Sequence, residues 1–249
     1  MDCLADALDR GGVPADGTVI VHSAFRELGR QGWQAEAVIE ALKHRLAEGT
    51  LLMPTMTWRT VTPAANVFDE LATPSHTGIL TELFRRGHAQ ARSLHPTHSV
   101  AGWGRNLDHL LGGHHLGCTP CPPDSPYGRM RSLNAFVLLL GVGMESCTAV
   151  HFIEERITPD LTLCPIERME SYLLRDRHGV TRPMKLRRHQ RLDRDFHQFG
   201  REMLVRGEMV QGDFGGVPWR LFPIAALYPI VEAALTANPH AIIQTGRVT

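Results

Sequence analysis

The chain has no net charge, no long apolar run and too few cysteines to be stapled. Its 26 lysines and arginines balance 26 aspartates and glutamates over 249 residues, so no overall field draws it to nucleic acid or an anionic membrane. No segment approaches the roughly 20 apolar residues that span a bilayer, and residues 1–6 carry acids where a signal peptide would be apolar. Five cysteines, an odd number in a chain large enough to bury its own core, favour free thiols in a reducing setting. Internal repeats and low-complexity tracts are also lacking. The expectation is a cytoplasmic protein, read as one domain over 1–249, with no membrane or nucleic-acid partner.

What is present reads as alternating strands and helices. Thr18 to Val21 is a β-branched run entered from Pro14, Asp16 and Gly17, which predicts a buried strand ending at His22 and Ser23. Apolar residues at 38, 39, 42 and 46 predict a helix over 33–46, and a second strand over 50–53 stops at Pro54. This order predicts an α/β layer with Ser23 and Thr55 to Trp58 on one rim, where strand ends form crevices. Residues 59–75 read as irregular, 77–86 and 106–111 as helices, 112–126 as a loop and 135–140 as a buried strand. A hairpin turning at His178 and Gly179 is predicted within 172–192, with helices over 194–206 and 227–235.

Three segments carry the chemistry: Arg92-Ser93-Leu94-His95-Pro96-Thr97-His98-Ser99, then Asp124-Ser125-Pro126-Tyr127, then Leu140-Gly141-Val142-Gly143 running through Thr148 to His151 and Glu154. A strand, a glycine turn and a helix N-capped by Thr148 put His151 in a first helical turn. There the positive helix end disfavours an imidazolium, while Glu154 at i+3 can orient the ring and support a transferred proton. Glu155 is a second candidate acid. Cys147 reads as a small buried thiol in preference to an acyl-enzyme nucleophile.

In order and spacing these segments resemble the aminoglycoside 3-N-acetyltransferase family. The resemblance runs from about residue 17 to residue 239 and implies an α/β fold with a mixed central sheet flanked by helices. A smaller lobe, roughly 160–200, would close the active-site cleft. It implies an enzyme moving an acetyl group from acetyl-CoA to a small amine acceptor, foremost the 3-amino group of a 2-deoxystreptamine aminoglycoside. His151 would be the general base, with Glu154 and Thr148 completing the catalytic group. Coenzyme contacts fall to His22, Ser23, Ala24, Arg92, His98, Ser99, Ser125 and Tyr127, and acceptor contacts to Thr57, Trp58, Glu155, Asp193 and Asp195. The turn after the first strand departs from the family's His-Ser-Ser-Leu by Ala24, and Ser146-Cys147-Thr148 stands where many relatives have Asn-Thr.

Other readings remain open. An N-acetyltransferase of another amine, or a noncatalytic coenzyme-binding relative, would share these motifs. His114, His115, Cys118 and Cys121 invite a zinc reading, but a single Cys-x-x-Cys pair and a transfer needing no metal favour none. Between residues 145 and 176 seven acids face three arginines, suiting a polycationic acceptor, whereas the basic run from Arg182 to Arg194 could attract phosphates. An oligomer is compatible with the sequence.

Overall fold

The computed structural model describes residues 2–244. Helix α1 (Asp2–Arg10) leads into β1 (Thr18–Ser23), followed by α2 (Phe25–Arg30), α3 (Ala35–Arg45) and β2 (Thr50–Pro54). Strand β3 (Val67–Asp69), helix α4 (Ile79–Leu83), β4 (Ala91–Arg92), β5 (Val100–Gly104), α5 (Leu107–Leu111) and α6 (Pro126–Arg129) come next. Then β6 (Phe136–Leu140) precedes α7 (Val150–Ile157) and α8 (Pro159–Thr162). The hairpin β7 (Glu170–Arg175) and β8 (Thr181–Leu186), α9 (His197–Val205), β9 (Val210–Asp213), β10 (Pro218–Pro223) and α10 (Ile224–Ala237) complete the chain. Among the described residues, no helix is long and apolar enough to cross a membrane.

Seven strands form one sheet in the order β4-β5-β2-β1-β6-β10-β9. The centre, β2-β1-β6, is parallel, whereas β5 and β10 join it antiparallel, so the expected mixed α/β sheet is the observed one. Successive side chains alternate faces. Val19, Val21, Leu51, Met53, Leu138 and Leu140 pack on one side against α1, α3 and α4. Ile20, Leu52, Val137 and Leu139 pack on the other against α7, α9 and α10. The central strands are covered on both sides, which is why they read as unbroken apolar runs.

A second sheet, β3-β7-β8, carries its own small core of Val61, Phe68, Tyr172, Leu174, Met184 and Leu186. Its hairpin turns at Gly179, whose φ of +80° suits glycine, but its third strand comes from the stretch expected to be irregular. Val67 pairs with Leu173 in parallel, so the small sheet draws on residues well outside 160–200. Three residues are too few to show a period in sequence.

Other expectations shift. The helix expected over 77–86 is α-helical only to Leu83 and widens into a π turn over Phe84–His88. The helix expected from 194 starts at His197, and the final one extends to Ile224–Ala237. Helix α1 is not among the expected elements, although Leu4, Ala7 and Leu8 supply its buried stripe. Strand β10 lies between Pro218 and Pro223, a composition that argues against an inner strand.

Candidate active site

The parallel strands β2, β1 and β6 end together, leaving Thr55, Ser23 and Gly141 along one rim. Gly141 makes the turn that leads to α7. Its φ is +69°, and a Cβ there would sit 2.9 Å from the Ala24 carbonyl oxygen, so the chain passes close behind β1 only without a side chain. A 3-10 turn over Met144–Ser146 then runs almost directly into α7.

That approach corrects one expectation. Thr148 does not cap α7 with its hydroxyl. The N-cap is Ala149, in helical conformation with no side-chain cap, and Thr148 contributes its carbonyl, which accepts from His151 N–H at 3.0 Å. A capping hydroxyl needs an extended residue, and the preceding turn is already coiled.

His151 lies in the first turn of α7, its side chain 18% exposed, with Nδ1 bonded to Glu154 Oε2. Glu154 is fully buried. Burial pushes its carboxyl up, but His151 and Arg194 together hold it below the usual range. Arg194 Nε donates to Glu154 Oε1 at 2.8 Å, so each carboxylate oxygen has its own partner. An ionised Glu154 therefore accepts a hydrogen bond from Nδ1–H, and a ring held this way carries its lone pair on Nε2 whenever it is neutral. Among the described residues, nothing hydrogen-bonds that nitrogen. Phe196 stands edge-on to the ring at 5.4 Å.

A second histidine lies against the first. The His189 and His151 ring centroids are 4.3 Å apart, and His98 meets His189 edge-on at 5.1 Å. His189 Nε2 is 2.7 Å from Glu155 Oε1, which also accepts from Cys121 N–H at 2.8 Å. Burial, with Glu154 next to it, pushes the Glu155 carboxyl up to about 8 against the hydrogen bond from Cys121 N–H. Glu155 thus belongs to a buried group beside the His151 pair and does not stand on an acceptor surface. Burial also drives the Cys147 thiol up to about 12, in keeping with an inert cysteine.

The residues nominated for the coenzyme divide. His22 and Ser23 end β1, with His22 on the α7 side of the sheet by strand alternation. His22 Nε2 is buried without a partner. Ala24 does not offer a free amide, because its N–H donates to Leu140 O at 3.0 Å. Arg92 is buried and turned inward, donating to Thr55 and Ser99 hydroxyls and to the carbonyls of Thr55, Glu70 and Thr73, so it does not stand free for a phosphate. Ser99 is consumed in the same network. Ser125 caps α6 by accepting from Gly128 N–H, and Tyr127 is a fully buried core ring whose hydroxyl has no hydrogen-bond partner. His98 stays close to His151 through His189, held by Thr97 Oγ1 at 2.8 Å from its Nδ1.

The acceptor candidates divide as well. Thr57 is buried and donates to Pro96 O, whereas Trp58 is partly exposed, edge-on to His76. Asp193 is exposed at the surface. Asp195 accepts from His197 N–H at the start of α9. Between them, Arg194 reaches the His151 pair. The acidic and basic runs largely answer each other: Arg182 pairs with Asp176, Arg187 with Asp160, Arg188 with Glu170 and Arg194 with Glu154. Neither run is a free stripe of one sign. The Cys-x-x-Cys pair does not converge either, since Cys118 is exposed and Cys121 buried.

A family model described as aminoglycoside 3-N-acetyltransferase matches residues 20–236. Among curated proteins, a prophage-derived aminoglycoside N(3')-acetyltransferase-like protein of Bacillus subtilis is 30% identical over 161 residues, covering 56% of this chain and 59% of that protein. Aminoglycoside N(3)-acetyltransferase IV of Salmonella is 33% identical over 146 residues, covering 57% of this chain and 54% of that protein. The chain thus spans between half and two thirds of these relatives' length. In fold, the crystal structure of aminoglycoside acetyltransferase AAC(3)-IVa in complex with a gentamicin superposes with a TM-score of 0.82 at 24% identity, over 98% of this chain and 91% of that one. The family match begins inside β1 and takes in β2, β6 and the whole of α7, so that the chain belongs to the aminoglycoside 3-N-acetyltransferase family.

Proposed function

We propose that this chain is an acetyl-CoA-dependent N-acetyltransferase acting by direct transfer, with His151 as general base and the 3-amino group of a 2-deoxystreptamine aminoglycoside as the foremost acceptor. The observation that carries the reading is the His151–Glu154–Arg194 arrangement at the end of the parallel strands. An ammonium cannot attack a thioester until it loses a proton, and a neutral imidazole with a free Nε2 is suited to take it. Glu154 fixes the ring orientation and stabilises the imidazolium that forms, while His151 and Arg194 together hold the Glu154 carboxyl below its usual range despite burial.

Acetyl-CoA, the cosubstrate of the family's enzymes, would supply the activated acyl carbon. The orphaned His22 Nε2 and the Ser23 hydroxyl, which takes no hydrogen bond among the described residues, fit a rim that receives hydrogen-bonding groups from a ligand. Ser23 would donate toward negative charge growing on the acyl oxygen. Arg92, Ser125 and Tyr127 would support the rim from within.

The test is thiol release from acetyl-CoA across a panel of aminoglycosides and simple amines, with wild type and His151→Asn. Turnover should fall about 10²–10⁴-fold in the variant. A folded variant that acetylates at the wild-type rate removes His151 from the chemistry. Turnover confined to a non-aminoglycoside amine would reassign the acceptor. Coenzyme binding without thiol release on any amine would mark a noncatalytic relative.

A further inference from the structure

We propose that Cys121, Glu155 and His189 form a binding site for a divalent cation of the zinc class, set beside His151 but separate from its proton chemistry. The three side chains come from the loop before α6, from α7 and from the segment after β8, yet one donor atom of each lies within 4.8 Å of the other two. They are the only such group of His, Cys, Asp and Glu among the described residues. Thiolate, carboxylate and imidazole together are the donor set of a borderline-soft ion; magnesium or calcium would call for oxygen alone.

A second observation points the same way. Glu155 is 4% exposed, and its Oε1 takes both the Cys121 N–H and His189 Nε2. Its Oε2 is buried with no hydrogen-bond partner, and a cation would satisfy that oxygen. Donor atoms around tetrahedral zinc lie about 3.3–3.8 Å apart, given bonds of about 2.0–2.3 Å. Drawing this set together from within 4.8 Å therefore needs shifts of about 1 Å. Three protein donors would leave one position for water. The sequence points elsewhere, to Cys118 with Cys121, because the convergence depends on Glu155 and His189, which lie 34 residues apart.

The experiment is cobalt(II) and zinc(II) titration of chelator-stripped full-length protein, with variants Cys121→Ser, Glu155→Gln and His189→Ala. One ion per chain is expected, with a thiolate-to-cobalt charge-transfer band that Cys121→Ser abolishes, and affinity at least about 100-fold weaker in each variant. His151→Ala should bind the metal like wild type, so failure of the acetyl-transfer reading and failure of this one are distinguishable. Metal X-ray absorption on wild type guards against variants that do not fold, and a zinc shell containing one sulfur is expected. A shell without sulfur, or equal metal uptake by all three variants, overturns the proposal and assigns the binding to other histidines.

Discussion

Arg194 and His151 grip opposite oxygens of one buried carboxylate: Arg194 Nε lies 2.8 Å from Glu154 Oε1, and His151 Nδ1 bonds Oε2. Arg194 touches no reacting atom in this arrangement. It positions the acid that positions the base. In Arg194→Gln, Glu154 keeps one partner and loses the other, which should cost about 2–4 kcal/mol of stability. The acid limb of the kcat/KM profile should also move to higher pH, because the remaining carboxylate becomes easier to protonate. A merely structural arginine would lower stability and leave that limb in place.

Glu154→Gln should cut kcat about 10²–10³-fold with little change in the KM for acetyl-CoA, since a neutral amide can orient the ring but cannot stabilise imidazolium. Adding Arg194→Gln to this variant should cost less activity than it does in wild type. Additive losses would show that the two residues act independently.

Arg92→Lys should lower the unfolding temperature while leaving the KM for acetyl-CoA within about twofold of wild type. The guanidinium reaches several interior acceptors that an ammonium cannot span at once. A large rise in that KM at unchanged stability would instead place Arg92 on a coenzyme phosphate. Thermal unfolding with steady-state kinetics separates the two.

His114 shapes the acid stability. Its ring is fully buried between the Ser93 hydroxyl and the Pro120 carbonyl, and burial lowers it from 6.5 to about 4. Below pH 6.5 the unfolded chain takes up a proton that folded His114 refuses down to about 4. Its stability contribution is therefore complete above 6.5 and lost as pH falls through that window, by about 2 kcal/mol at pH 5. His22, lowered to about 3 by burial, acts in the same sense. Urea unfolding at about pH 7.5 and about pH 5 should show a smaller acid loss in His114→Gln than in wild type.

Gly141→Ala should destabilise by about 1–3 kcal/mol, because the new Cβ meets both a left-handed backbone and the Ala24 carbonyl. Activity should fall further than stability alone accounts for, since this turn sets the entry to α7. Unchanged kcat in a folded variant would dissociate the turn from the site.

Much of the centre is legible because it is local. The apolar runs of β1, β2 and β6 stand out by composition, and the i+3 spacing of His151 and Glu154 places both on one helix face. The rest depends on distant segments. Arg194 reads in sequence as an ordinary cation between Asp193 and Asp195, and its partner is 40 residues away. His189 is hidden in a basic run for the same reason. Ser125 and Arg92 carry hydroxyl and guanidinium groups that suit a ligand equally well as interior backbone groups, and only packing reveals which they serve.

The parallel pairing of Val67 with Leu173, and the Glu70 carboxylate bonding Arg177 across 107 residues, tie the small sheet to an early and a late part of the chain at once. Such a unit cannot finish folding until most of the polypeptide has been synthesised, and it cannot be excised as a contiguous fragment. New termini opened at the exposed His178–Gly179 bend would break none of those long-range ties, which makes that bend the place to cut for a circular permutant.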